Sequence, residues 1–122
     1  METVDPSGQP RATRQQPFRL YAAQGRVYAR NRDNKLIDLG TLTHSEGGIC
    51  YLLDGNKQGG SGFFTEEEAL RDVARNLRFL WLDGQFTAVA DARPETNLQG
   101  ATELDIVLDE LAPGERITDA TV

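Results

Sequence analysis

The hydrophobic pattern changes character at Phe18. Phe18, Leu20 and Ala22 stand at alternate positions, Gln24-Gly25 interrupts, and Val27 and Ala29 resume the alternation. A period of two on both sides of a two-residue break predicts a β-hairpin, with Gly25 supplying the positive φ such a turn needs. Pairing then follows by counting outward from the turn: Ala23 faces Arg26, Tyr21 faces Tyr28, and Arg19 faces Arg30. Because strand side chains alternate, these six share one face, while Leu20, Ala22, Val27 and Ala29 share the other. The second face is small and apolar, which suits close approach of a helix.

Asn31-Arg32-Asp33-Asn34 is a turn cluster, and Lys35–Leu42 reads as a third strand with Ile37 and Leu39 on one face. Ser45-Glu46-Gly47-Gly48 breaks the chain again. Ile49–Leu53 is apolar on both faces, which predicts a central strand and places Cys50 in the most buried run. Asp54 opens a glycine-rich loop that runs through Gly62.

The period then lengthens to that of a helix, from about Glu66 to Leu82. Thr65 with Glu68 forms a capping box, and Leu70, Val73, Ala74, Leu77, Leu80 and Trp81 define one buried stripe. Phe79 and Leu82 fall off that stripe, as contact points for another subunit, and Asp83-Gly84 ends the helix. Gln85–Asp91 reads as a fifth strand and Ala92–Gly100 as a loop. Thr102–Leu111 fits both periods: Leu104, Ile106 and Leu108 alternate, whereas Leu104, Val107, Leu108 and Leu111 suit a helix. Thr102 with Asp105, and Pro113-Gly114 beyond, favour a short helix. The expected architecture is α+β: an antiparallel meander of about four to five strands, one main helix (about 66–82) packed on one face, and a short C-terminal helix.

A chain of 122 residues is the length of one core. Residues 1–17, rich in Pro, Gly, Gln and Ser, are expected as a flexible tail, 18–112 as a single domain, and 113–122 as an acidic end. One cysteine excludes an internal disulfide, and one cysteine with one histidine excludes a His/Cys-only zinc site. The apolar runs are far shorter than the ~20 residues of a membrane span, and the N-terminus lacks the basic start and apolar run of a secretory signal. A cytoplasmic protein with no membrane partner is expected.

Charge alters this picture. The net charge of −6 divides into −2 over residues 1–10, +6 over 11–35 and −10 over 36–122. A basic hairpin on an acidic body suggests a local electropositive patch, within reach only over a Debye length of ~8–10 Å. The candidate contact surface is therefore Arg19, Tyr21, Arg26, Tyr28, Arg30, Arg32 and Lys35, extended by Arg11 and Arg14. Arginines beside aromatic rings can hold phosphate while the rings stack on bases or on a partner's side chains. Arg71, Arg75 and Arg78 form a secondary stripe on the main helix, with Glu67 and Asp72 at ion-pair spacing to two of them.

Other residues carry weaker chemistry. Gly59-Gly60-Ser61-Gly62 lacks the Gly-Lys-Ser/Thr ending of a phosphate loop, and Glu66, Glu67 and Glu68 at the following helix start would repel an anion. His44 and Cys50 lie in different elements with no geometry fixed for a nucleophile–base pair. No catalytic residue, metal site or cofactor is assigned. The function expected is that of a small non-enzymatic intracellular protein that binds a protein or ribonucleoprotein partner. It would act as a regulator, adaptor or inhibitor, for instance of a nucleic-acid-handling complex, as mobile elements encode. The alternative is a nucleic-acid-binding module using the same basic-aromatic face. A homo-oligomer remains open.

Overall fold

The Gln24-Gly25 turn seeds the sheet. A computed structural model of the protein describes residues 15–55 and 57–110. In it Gln24 and Gly25 both have positive φ, 56° and 76°, the combination of the tight turn whose twist matches that of its strands. Strands β1 (Gln15–Ala23) and β2 (Arg26–Arg30) pair antiparallel in the expected register, Arg19 on Arg30, Tyr21 on Tyr28 and Ala23 on Arg26. The meander continues through β3 (Leu36–Ser45), β4 (Gly48–Leu53) and β5 (Gly59–Phe63). Helices α1 (Glu66–Asn76) and α2 (Phe79–Ala88) then carry the chain across the sheet, and β6 (Thr102–Asp109) returns beside β1. The sheet has six antiparallel strands in the order β5-β4-β3-β2-β1-β6.

Helix α1 touches both outermost strands, β5 and β6, so the sheet curls around it. Leu20, Val27, Ala29, Ile37 and Leu53 on the inner face bury against Leu70 and Val73 of α1 and Leu82 of α2. This is the small apolar face of the hairpin, as its composition suggests. At the start of α1 the Thr65 hydroxyl accepts from the Glu68 amide at 3.1 Å, and the Glu68 carboxylate accepts from the Phe64 amide at 2.8 Å. The α+β class thus holds, while several elements differ from expectation.

The glycine-rich stretch before α1 is an edge strand over Gly59–Phe63, and the glycines let the helix close on it. A Cβ on Gly60 would stand 2.8 Å from an Asp72 carboxylate oxygen and 3.0 Å from the Tyr51 ring. The expected helix over 66–82 is two helices, separated by Leu77 and Arg78 in extended conformation. That break re-aims the stripe. Leu82 becomes fully buried and Phe79 packs against the core, its ring 6.3 Å from that of Phe18, so neither is an outward contact point. Gly84 lies inside α2 and ends nothing. An internal glycine costs about 1 kcal/mol, offset here by Phe86, which stacks on Phe18 at 5.8 Å. Gln85–Asp91 is consequently helical through Ala88 and not a fifth strand.

The C-terminal segment is a strand, not a short helix. The free edge of β1 offers an uninterrupted ladder from Gln15↔Asp109 to Ala22↔Thr102, and Leu104, Ile106 and Leu108 turn toward the core. Pairing with β6 also takes Gln15, Gln16 and Pro17 out of the expected tail; the remainder of the tail and of the acidic end lies outside the described residues. Strand β4 is one-faced: Ile49, Tyr51 and Leu53 are buried while Leu52 is exposed and Cys50 only half-buried. Neither helix is long and apolar enough to cross a membrane.

Candidate partner-binding face

The register of β2, β1 and β6 sets side chains in rows on the sheet face away from the helices. One row reads Arg30, Arg19, Asp105, and the next Tyr28, Tyr21, Glu103. The expected constellation is therefore assembled as the turn dictates, but it is not an open surface. Residues 91–101, which include a 3₁₀ turn at Arg93–Glu95, strap across it. The Ala92 amide donates to the Leu36 carbonyl at 2.7 Å, the Leu36 amide to Asp91 at 3.3 Å, and the Gln24 side-chain amide to the Asn97 carbonyl at 3.2 Å. Ala92, Leu98 and Ala101 then pack over Tyr21, Tyr28 and Leu36. Tyr21 is 2% and Tyr28 6% exposed, so the rings are unavailable for stacking on a ligand. Small side chains above flat phenols remove apolar surface from water, which is the physical reason the tyrosines are covered.

The cations divide into two sets. Arg19 bonds to Asp105 at 2.5 Å and reaches Glu103 at 3.5 Å; the hydrogen bond to Asp105 leads in raising its pKa above the ordinary guanidinium value. Arg26 forks onto Asp38 at 2.9 Å and Asp54 at 3.3 Å, and the Asp38 hydrogen bond raises it likewise against partial burial. The Lys35 ammonium donates to the Phe86 carbonyl, where the last turn of α2 has carbonyls to satisfy. Of the secondary stripe, Arg71 pairs with Glu67 at 2.7 Å and Arg75 with Asp72, while Arg78 is the exposed residue ahead of α2.

Arg30 and Arg32 behave differently. Neither side chain makes a hydrogen bond or ion pair among the described residues, and Arg32 is exposed. The Arg30 guanidinium lies over the Tyr21 ring, 5.2 Å from its centroid, and its Nε is shut off from solvent with no acceptor. Both arginines line a cleft of about 510 Å³. Arg19, Tyr21, Arg30 and Arg32 contribute from β1, β2 and the turn after it; Asp105 and Val107 contribute from β6. Val107 is 57% exposed. The β6 wall escapes a sequence reading that makes this segment helical, although the alternation of Leu104, Ile106 and Leu108 carries the signal.

Elsewhere the reactive side chains are occupied. His44 Nε2 lies 3.0 Å from Glu66, which also accepts from the Thr102 hydroxyl at 2.7 Å. Cys50 lies beside Thr43 at 3.1 Å. Thr43 pairs with Cys50 and His44 with Ile49, so the cysteine and histidine project from opposite faces of the sheet. The Tyr51 hydroxyl donates to Asp72 at 2.7 Å, and burial, followed by that bond, raises its pKa to about 12. In comparisons with family models, curated proteins and solved structures, nothing matches this chain.

Proposed function

We propose that the chain is a non-enzymatic protein that works by occupying a macromolecular partner, as a regulator, adaptor or inhibitor, and that the partner enters at the cleft between β1, β2 and β6. One observation carries the reading: among the described residues Arg30 and Arg32 have no counter-charge, on a face where Arg19 and Arg26 are both ion-paired. A cation beside a partly apolar cleft is the composition of a protein–protein contact, where arginine is enriched and unpaired charge is relieved by the partner. His44 and Cys50, with opposite projections and separate partners, favour binding over nucleophilic chemistry. A protein partner is favoured over nucleic acid on two grounds. The tyrosines cannot stack on bases, and Glu103, Asp105 and Asp109 line the strand a phosphate backbone would have to pass.

The test is affinity purification from the native cell with the wild-type chain and an Arg30→Met/Arg32→Met double variant of unchanged thermal stability. A co-purifying protein retained by the wild type and lost by the variant supports the reading. Equal retention removes the cleft from it, and recovery of nucleic acid alone, at low salt, replaces it with the direct nucleic-acid-binding alternative.

A further inference from the structure

Resting on that reading, we infer that the group received in the cleft is a side-chain carboxylate of a protein segment, gripped by Arg30 with Arg32 beside it and with an apolar neighbour of that carboxylate against Val107. Arg30 is held ready for such a group. Its guanidinium carbon stands 5.2 Å from the centroid of the Tyr21 ring, which the strap covers and fixes, so part of the side-chain freedom is already lost before binding. Its Nε is covered, so a carboxylate in the cleft meets the terminal nitrogens of the guanidinium, which have no partner among the described residues. Asp105, the carboxylate in the same row, is held by Arg19, which stands between it and Arg30.

The choice of a carboxylate over a phosphate chain follows from the same row. With strands about 4.8 Å apart, Asp105 lies two strands, roughly 10 Å, from Arg30. A single carboxylate reaches Arg30 without meeting it. A nucleic-acid strand, charged at every nucleotide, would set its next phosphates against Asp105 and Glu103. The apolar part of the lining, where Val107 is more than half exposed, favours a short aliphatic side chain next to the acid. At about 510 Å³ the cleft has the capacity for both, within the range of roughly 300–1,000 Å³ typical of ligand pockets.

The full chain, labelled for arginine side-chain NMR, would be titrated with a capped Leu-Asp dipeptide, its Leu-Asn counterpart, inorganic phosphate and an oligo(dT) octamer. The expected result is a saturable shift of the Arg30 Nε–H resonance with Leu-Asp, little with Leu-Asn, and no movement of the paired Arg71. Arg30→Met should weaken binding at least about tenfold, and Arg30→Lys should not restore it, because a point charge lacks the planar fork. Arg32→Met, at an exposed position that cannot unfold the chain, should weaken it by less. An unmoved Arg30, or an equal response to Leu-Asn, overturns the inference. Saturation by phosphate or oligo(dT) at lower concentration than by Leu-Asp overturns the carboxylate assignment in favour of phosphate. The purification experiment is independent: a partner lost on Arg30→Met/Arg32→Met while Leu-Asp leaves Arg30 unmoved keeps the binding surface and discards this ligand.

Discussion

Tyr51 ties β4 to α1 through a single hydroxyl. Burial and the bond to Asp72 hold its pKa near 12, against 10 for a free phenol. A phenol whose folded pKa is raised stabilises the fold fully below the unfolded value, and that contribution is lost as pH rises from 10 toward 12. Absorbance titration of the phenolates should therefore show a late-ionising component that Tyr51→Phe removes, and Asp72→Asn should bring it down, since the Asp72 charge is one of the groups holding it up. A mid-range phenol that ignores Asp72→Asn would contradict the contact. Asp91 has the opposite sign. Backbone hydrogen bonding from Arg93 lowers its pKa, so its hold on the strap persists above the ordinary carboxylate range and fails as pH falls through the lowered value. Asp91→Ala should speed hydrogen exchange at the Ala92 amide, which bonds Leu36, while leaving amides inside α1 protected. At this scale the hairpin partners of Arg19 and Tyr21 are legible in the chain because a two-residue turn admits one register. The covering of Tyr21 and Tyr28 is not, because Ala92, Leu98 and Ala101 arrive from some 70 positions downstream, and no local pattern records that meeting.

Elements divide by how local their causes are. Helix α1 is announced by its own cap and stripe, so Thr65→Ala should cost about 1 kcal/mol in chemical denaturation. Leu70→Ala, at a fully buried position, should cost about 2–5 kcal/mol. The break after α1 is decided elsewhere: only with Leu77 and Arg78 extended do Leu82 and Phe86 both reach the core, where Phe18 from β1 waits. The same holds for β6. Its residues satisfy a helical period as well as a strand period, and the unpaired edge of β1 settles the matter. The two periods make different demands on neighbouring residues. A helix would bury Val107 and spare Ile106, whereas the strand turns Ile106 toward the core and leaves Val107 out. Ile106→Ala should accordingly destabilise by about 1–3 kcal/mol, and Val107→Ala by no more than about 0.5 kcal/mol.

On the scale of the whole molecule, the segregation of charge along the chain acts first as a pairing rule. The basic hairpin is flanked by acidic partners on both sides: Asp38 of β3 takes Arg26, and Glu103 with Asp105 of β6 takes Arg19. A net of +6 over residues 11–35 reads in sequence as a broad cationic surface, yet among the described residues of this face only Arg30 and Arg32 are left unneutralised. If the proposed reading holds, the acids of β6 decide what the cleft attracts. Removing them should change the kind of partner it accepts, not merely the strength of binding. In a Glu103→Gln/Asp105→Asn double variant, Arg19 loses both counter-charges and joins Arg30 and Arg32, giving three adjacent free guanidinium groups on one cleft wall. Both substituted side chains are exposed, so stability should change by no more than about 1 kcal/mol. Oligonucleotide binding followed by fluorescence anisotropy should rise several-fold over wild type at low salt. The dependence of log affinity on log salt should steepen by about one for the added phosphate contact. Equal affinities in the two proteins would mean that the Arg19 charge is not what Glu103 and Asp105 hold in check, and the two acids would then give no reason to favour a carboxylate over phosphate.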